Sequence, residues 1–140
     1  MPVLPRRHAD VAATVLIMAR ILVVDDNEQF AELTVRTLRS DGHEVEYARP
    51  IGSTNKVLQF NPDLILLDLL MPGISGVNLS AQYTKYKKVR IVLYSSADER
   101  KLRDAASTGS GVIDHWSKSV LGNELIAKVR LALMRQSFPA

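Results

Sequence analysis

Cysteine is absent from the 140-residue chain. Its absence excludes a disulfide framework and a thiolate zinc site, and it favours a reducing compartment, the cytoplasm. A large charge imbalance is also missing, because the formal net charge is only +3 and residues 1–20 carry two of these three charges. The short basic run between Lys85 and Arg90 has no recognition-helix context and indicates a solvated loop. These absences argue against direct binding of nucleic acid.

The N-terminal segment lacks the features of a membrane anchor or a cleaved leader. Its basic residues and short apolar stretch resemble the start of a signal peptide. However, Asp10 borders the apolar stretch, no small-x-small cleavage pattern follows, and Arg20 leads directly into an apolar strand. The stretch is also well short of the ~18 residues that a membrane span requires. We expect a flexible extension over residues 1–19, with a short packing helix as the alternative.

The rest of the chain is typical of one globular domain that buries a core, with 46% apolar and 24% charged residues. Apolar or alternating segments predict five strands, at residues 20–26, 43–48, 62–68, 89–95 and 111–117. A helical pattern follows each strand, at residues 27–41, 53–60, 75–86, 98–107 and 120–136. Five strand-helix repeats with short connections require a parallel sheet covered by helices on both faces.

Single residues add local predictions. Gly42 has the place of a left-handed cap that ends the first helix. Ser96 and Glu99 form a capping-box pattern at the start of the fourth helix. His8 and His43 have the character of surface residues.

Polar side chains follow the carboxyl ends of four strands. An unpaired carboxylate is costly inside a strand buried on both faces, so we expect Asp68 to lie where the third strand leaves the core. Ligands of such sheets bind outside the carboxyl ends of the strands, and five polar residues should therefore converge there. These residues are Asp25, Asp26, Asp68, Ser95 and Lys118.

Three neighbouring carboxylates repel one another unless cations intervene. A divalent ion and the Lys118 ammonium together supply three positive charges against three negative ones. Ligands that are all oxygen select magnesium, or manganese in its place, over zinc. Because Mg²⁺ in proteins usually keeps waters and a substrate phosphate, the cluster indicates phosphoryl chemistry.

These motifs, taken in order, resemble the receiver domain of two-component response regulators over residues 20–137. They are "VVDD" after the first strand, "DLLMPGISG" after the third, a hydroxyl at the end of the fourth and a lysine after the fifth. The resemblance implies a flavodoxin-like (βα)5 three-layer sandwich with strand order 2-1-3-4-5. It also implies a phosphoacceptor signalling domain rather than an enzyme.

The resemblance gives each residue a role. Asp68 would accept a phosphoryl group from a sensor histidine kinase, a phosphotransfer protein or a small phosphodonor. Asp26, Asp68 and the backbone carbonyl of Leu70 would ligate magnesium, and Asp25 would act largely through a bound water. Lys118 would pair with phosphoryl oxygens.

The expected switch is Ser95, which would donate a hydrogen bond to the new phosphate and move the end of its strand inward. The family's aromatic switch position, three residues before the lysine, falls on His115, with Trp116 beside it. Either residue could report the movement of Ser95, and the alternative for Trp116 is simple packing under the last helix.

The chain departs from the family pattern at several residues. Ser119 replaces the proline that commonly follows the lysine, and a cis bond before a non-proline residue costs about 2.5 to 4 kcal/mol, so we expect Lys118 to reach the site by a different backbone path. Leu70 and Ala97 occupy the positions that govern the approach of water to the phosphoryl group. Both are apolar and cannot orient water, which predicts slow hydrolysis of the phosphorylated form.

Only three residues follow residue 137, so we expect no output domain. The signal would then pass to a downstream protein partner, which the sequence does not identify. In the last helix, an apolar stripe comprises Leu121, Leu125, Ile126, Val129, Ala132 and Leu133. Leu131 and Met134 lie outside the stripe and are candidates for a partner surface or a homodimer contact, together with the helix after the fourth strand.

Two other functions remain open. A pseudo-receiver would use the same fold for binding without phosphate, which Ser119 and His115 favour and the intact acidic residues and Lys118 oppose. A magnesium-dependent hydrolase of the dehalogenase type would need a second acid two residues after its nucleophile. Leu70 occupies that position, so this hypothesis is poor.

Overall fold

The computed structural model describes residues 18–135 of the chain. The predictions made for residues 1–17, including His8, and for the end of the last helix and of the domain at residues 136 and 137 lie outside the described residues.

The described chain alternates strands and helices, as the sequence pattern predicts. The strands are β1 (Arg20–Val24), β2 (Glu44–Ala48), β3 (Leu64–Leu67), β4 (Leu70–Met71), β5 (Ile74–Ser75), β6 (Arg90–Ser95) and β7 (Val112–Ser117). The helices are α1 (Glu28–Ser40), α2 (Ser53–Phe60), α3 (Gly76–Tyr86), α4 (Glu99–Thr108) and α5 (Gly122–Leu133).

The five long strands form one parallel sheet in the order β2-β1-β3-β6-β7. Counted without the short pair β4 and β5, this order is 2-1-3-4-5, so the predicted flavodoxin-like fold is confirmed. The order of the strands reverses between β1 and β3. Val24 at the end of β1 is in register with Leu67 at the end of β3, which places the residues that follow them side by side.

Both faces of the sheet are buried, which explains the continuous apolar runs of the central strands. One face packs against α1 and α5 through residues such as Val23, Leu66 and Val129. The other face packs against α2, α3 and α4 through residues such as Leu67 and Leu102. The sheet is therefore the middle layer of three.

A short antiparallel pair, β4 with β5, follows Asp68 and was not predicted. Gly73 turns the chain between the two strands with a φ of 77°. Gly76 then opens α3 against the backbone of the acidic segment, where an added Cβ would lie 2.5 Å from the carbonyl oxygen of Asp68. This close approach is the physical reason for a glycine eight residues after Asp68.

Two local predictions are wrong. The cap of α4 is Asp98, whose side chain accepts a hydrogen bond from the Lys101 N–H at 2.9 Å, because the helix begins at Glu99 and Ser96 lies too far before it. His43 is buried, with 5% of its surface exposed, rather than at the surface. Its Nδ1 accepts a hydrogen bond from the Ala19 N–H at 3.0 Å, and its Nε2 lies 3.4 Å from Asp41 Oδ2.

Helix α5 is shorter at its start than predicted. It begins at Gly122, so Leu121 precedes the helix and is 45% exposed instead of belonging to the buried stripe. Leu131 and Met134 are 66% and 61% exposed, which confirms that they lie outside that stripe. Among the described helices, α5 included, none is long and apolar enough to cross a membrane.

Candidate functional site

Three carboxylates meet at the carboxyl edge of the sheet. Asp25 and Asp26 follow β1, and Asp68 follows β3. One carboxylate oxygen from each residue lies within 4.8 Å of the other two. Asp25 and Asp68 are buried and Asp26 is exposed, so the cluster opens to solvent on one side.

Backbone hydrogen bonds fix the two buried aspartates, Asp25 and Asp68, at this edge of the sheet. The Asp68 N–H donates to the Val24 carbonyl at 3.0 Å, which extends the pairing of β1 and β3 to the acidic residue itself. The Asp25 carboxylate accepts a hydrogen bond from the Asn27 N–H at 2.9 Å. The main chain therefore fixes the backbone position of Asp68 and the direction of the Asp25 carboxylate.

Lys118 reaches this cluster from the end of β7. Its Nζ lies 2.8 Å from Asp25 Oδ2 and 3.3 Å from Asp68 Oδ2. The peptide bonds of the described residues are all trans, including the bond between Lys118 and Ser119. The Lys118 N–H donates to the Ser95 carbonyl at 3.0 Å, so the backbone of the lysine is anchored to the neighbouring strand.

The electrostatics of the site favour an additional cation. Burial raises the pKa of Asp25, and the charge of Asp68 raises it further, against the opposing bonds from Lys118 and Asn27. Burial lowers the pKa of the Lys118 ammonium, but the two carboxylates more than offset this effect, and the pKa lies above its ordinary value. One ammonium thus serves two buried carboxylates and leaves negative charge uncompensated.

The residues of the site fit a magnesium ion. Asp68 Oδ1 is buried and has no hydrogen-bond partner among the described residues, which leaves a strong acceptor free for a ligand. The three available donors are carboxylate oxygens, and oxygen ligands suit magnesium. Leu70, the predicted source of a carbonyl ligand, lies two residues beyond Asp68 at the start of β4.

Ser95 ends β6 at the same edge of the sheet and is fully buried. Its Oγ accepts a hydrogen bond from the Ala97 N–H at 3.3 Å. The structure therefore brings Ser95 to the edge that carries the carboxylates, where the sequence predicted it.

The structure separates the two candidate aromatic switch residues. His115 is in register with Leu93, and Trp116 with Tyr94, so the two side chains lie on opposite faces of the sheet. His115 shares the face of Ser95, and its Nε2 lies 3.0 Å from a carboxylate oxygen of Glu99. Trp116 is buried on the other face, in the core formed with α1 and α5.

Two aromatic residues next to the site were not predicted as part of it. The Lys118 Nζ lies 4.7 Å from the centroid of the Phe30 ring. Tyr94 donates a hydrogen bond from its hydroxyl to the carbonyl of Val120, two residues after the lysine. The sequence contains a partial indication that Phe30 lies near the site, because this residue is in the first turn of the helix that follows the two aspartates.

A parallel sheet of this order, with buried carboxylates and a lysine at its carboxyl edge, defines a receiver-type signalling domain. The sequence model of the response regulator receiver domain matches residues 21–130, and the chain belongs to this family.

Similar proteins include larger regulators. A protein-glutamate methylesterase/protein-glutamine glutaminase of Myxococcus xanthus is 35% identical over 85% of this chain and 38% of its own length. The DNA-binding response regulator MtrA of Mycolicibacterium smegmatis is 32% identical over 83% of this chain and 51% of its own length. The chain therefore spans about half or less of the length of these curated relatives.

Solved structures show the same likeness. The activated N-terminal receiver domain of RstA from Klebsiella pneumoniae is 25% identical, with a TM-score of 0.74 over 83% of this chain and 99% of that chain. A chain from the complex of the histidine kinase ThkA with the response regulator TrrA is 32% identical, with a TM-score of 0.71 over 84% of this chain and 100% of that chain.

Proposed function

We propose that the protein is a phosphoacceptor receiver, in which Asp68 takes a phosphoryl group from a histidine kinase, a phosphotransfer protein or a small phosphodonor. The observation that supports this most directly is the Asp68 carboxylate, which is buried at 4% exposure, bonded to Lys118 at Oδ2, and without a hydrogen-bond partner among the described residues at Oδ1. A purely structural aspartate would have this oxygen paired.

In the proposed reaction, an Asp68 carboxylate oxygen attacks the phosphorus atom in line with the leaving group. A phosphorus–oxygen bond forms, giving an acyl phosphate. The bond from phosphorus to the donor breaks, and its electron pair leaves with the imidazole of a phosphohistidine or with acetate from acetyl phosphate. No oxidant or reductant is needed, because the transfer exchanges one bond to phosphorus for another.

Asp25, Asp26, Asp68 and the Leu70 carbonyl are the proposed magnesium ligands. A bound magnesium ion would neutralise charge on the phosphoryl group and orient it for in-line attack. Lys118, already 3.3 Å from Asp68 Oδ2, would pair with a phosphoryl oxygen once Asp68 carries the phosphoryl group.

Ser95 is the proposed switch. Its hydroxyl would exchange the present bond with the Ala97 N–H for a donated bond to the phosphate, and the end of β6 would move inward. His115, on the same face of the sheet, is the proposed reporter of that movement, through its contact with Glu99 of α4.

The proposed output is a contact with a downstream protein in the cytoplasm, rather than an enzymatic turnover by this domain or direct binding of nucleic acid. The exposed Leu131 of α5 and Met134, which directly follows that helix, support such a contact, because both are large apolar side chains. The proposed upstream partner is a histidine kinase, and the likeness to a response regulator solved with its kinase supports that class of partner.

Intact-mass spectrometry after incubation with acetyl phosphate tests the proposal. We expect one added phosphoryl group that requires Mg²⁺ and is lost in Asp68→Asn. Asp104→Asn is the control, because it removes an exposed carboxylate of α4 outside the cluster. If the folded protein gains no phosphoryl group, it is a pseudo-receiver.

A further inference from the structure

The loop that carries Lys118 is fixed without a proline. Ser119 follows the lysine, and its N–H donates to Ser117 Oγ at 3.1 Å. The Val120 N–H donates to the Ser117 carbonyl at 2.9 Å, which closes a tight turn around the lysine. These bonds define the local shape of the turn. Neither of them joins Val120, at the end of the turn, to another strand or helix.

Tyr94 supplies that connection. The residue immediately precedes Ser95 in β6 and is buried. Its hydroxyl donates to the Val120 carbonyl, which lies 26 residues away in sequence. Burial raises the pKa of this hydroxyl above its ordinary value, so it keeps its proton and remains a donor.

Phe30 contacts the charged end of the same lysine. Its ring centroid is 4.7 Å from Lys118 Nζ, within the range of a cation–π interaction. The ring in turn contacts Tyr94, with the two centroids 5.4 Å apart and an angle of 51° between the rings. Tyr94 therefore touches both the loop behind Lys118 and the ring under its ammonium.

We propose that Phe30 and Tyr94 are positioning residues that hold the Lys118 ammonium between Asp25 and Asp68, where it can meet the incoming phosphoryl group. A lysine is a compact charge on a flexible stem and does not fix its own direction. The Phe30 ring confines the ammonium from one side, and Tyr94 fixes both that ring and the turn that carries the lysine. This inference rests on the proposed phosphoryl transfer to Asp68.

Four variants test it, each assayed for the initial rate of phosphoryl incorporation from acetyl phosphate with Mg²⁺. Tyr94→Phe removes the hydroxyl, and with it the bond to Val120 and a side-chain hydrogen bond with Thr34. Phe30→Leu removes the aromatic face with little change in volume. Phe30→Tyr keeps the face and should rescue the rate. Tyr83→Phe is the matched control, because it removes another buried tyrosine hydroxyl, bonded to Ser53 Oγ at 2.6 Å on the opposite face of the sheet.

We expect Phe30→Leu and Tyr94→Phe to slow incorporation by about threefold to tenfold, as the loss of one cation–π contact or one buried hydrogen bond predicts. Phe30→Tyr and Tyr83→Phe should retain the wild-type rate. The rise in melting temperature on adding Mg²⁺ should persist in all four variants, since none of the substituted residues is a proposed metal ligand. A variant that had lost its structure would show a smaller rise as well as a slower reaction.

The outcomes separate the inference from the proposed function. Phosphorylation of wild type, with Phe30→Leu and Tyr94→Phe reacting at the same rate, would overturn the positioning role alone. A failure of Phe30→Tyr to rescue the rate would do the same. Absence of phosphorylation in wild type would overturn the proposed function, and the positioning role with it.

Discussion

At the scale of single residues, the site combines a reactive carboxylate with side chains that cannot assist water. Leu70, two residues after Asp68, directs an exposed apolar side chain outward, with 52% of its surface accessible. Ala97, two residues after Ser95, is small and partly buried against the core. Neither side chain has a polar atom that could hydrogen-bond a water molecule and orient it towards an acyl phosphate on Asp68.

We therefore predict that the phosphorylated protein hydrolyses slowly and that Leu70→Asn accelerates the hydrolysis roughly tenfold, which corresponds to about 1.4 kcal/mol of activation free energy. The decay of the phosphorylated mass after removal of acetyl phosphate measures this rate. Leu58→Asn is the control, because it makes the same change at an exposed leucine of α2. Decay of the wild type within seconds, without a phosphatase, would contradict the prediction.

At the scale of elements, the start of α3 sets the position of the acidic segment. Gly76 donates its N–H to the Leu69 carbonyl at 3.0 Å, and the helix packs directly on the backbone of Asp68 and Leu69. An added Cβ would lie 3.0 Å from the Leu69 Cα in addition to its clash with the Asp68 carbonyl. Backbone atoms on both sides cannot move aside as a flexible side chain could.

Gly76→Ala should therefore displace the acidic segment. We expect a loss of about 1 to 3 kcal/mol in the free energy of unfolding, together with a clear fall in the rate of phosphoryl incorporation. Urea unfolding and mass spectrometry measure the two effects.

Gly52→Ala separates stability from site geometry. Gly52 has a φ of 85°, but an added Cβ there meets nothing within 4 Å. This variant should lose stability through backbone strain and keep the wild-type phosphorylation rate. If Gly76→Ala and Gly52→Ala lowered the rate of phosphoryl incorporation equally, the loss of stability alone would explain the fall, and the predicted displacement of the acidic segment would be wrong.

At the scale of the whole molecule, a partly buried cluster of three side chains joins distant parts of the fold. Asp41, after α1, accepts hydrogen bonds from Arg130 of α5, one of them at 2.9 Å. His43 Nε2 lies 3.4 Å from Asp41 Oδ2, while its Nδ1 accepts from Ala19 before β1. Through His43 and Asp41, the cluster thus connects the chain before β1 with α5.

Burial lowers the pKa of His43 below its ordinary value of 6.5, against the opposing charge of Asp41, and the charge of Arg130 lowers it further. Because the folded state disfavours the protonated imidazole, this contribution to stability is fully present above pH 6.5. It is lost as the pH falls from 6.5 through the lower pKa of the folded state.

We predict that the free energy of unfolding of wild type falls over this interval relative to that of His43→Gln, in urea titrations at pH 7.5, 6.5 and 5.5. His115→Gln keeps the His43 imidazole and should follow the wild type. Parallel pH profiles for wild type and His43→Gln would show that His43 does not contribute to the dependence on pH.

The sequence alone was sufficient to predict the sheet and the acidic edge. Apolar runs and helical periodicity depend on neighbouring residues, and parallel connectivity then requires the carboxyl ends of the strands to share one edge. The convergence of Asp25, Asp26, Asp68, Ser95 and Lys118 follows from these two facts, and the motif order was sufficient to identify the family.

Other features were decided only by the tertiary structure. The ring of Phe30 under Lys118, the bond from Tyr94 to Val120 and the burial of His43 depend on contacts between residues far apart in sequence. No local sequence pattern predicts these contacts. Phe30 would equally fit an ordinary helix face, Tyr94 an ordinary strand and His43 an ordinary loop. The start of α4 could not be predicted from neighbouring residues either. Ser96 and Asp98 are both good helix caps, and the packing of the chain determined that the helix begins after Asp98.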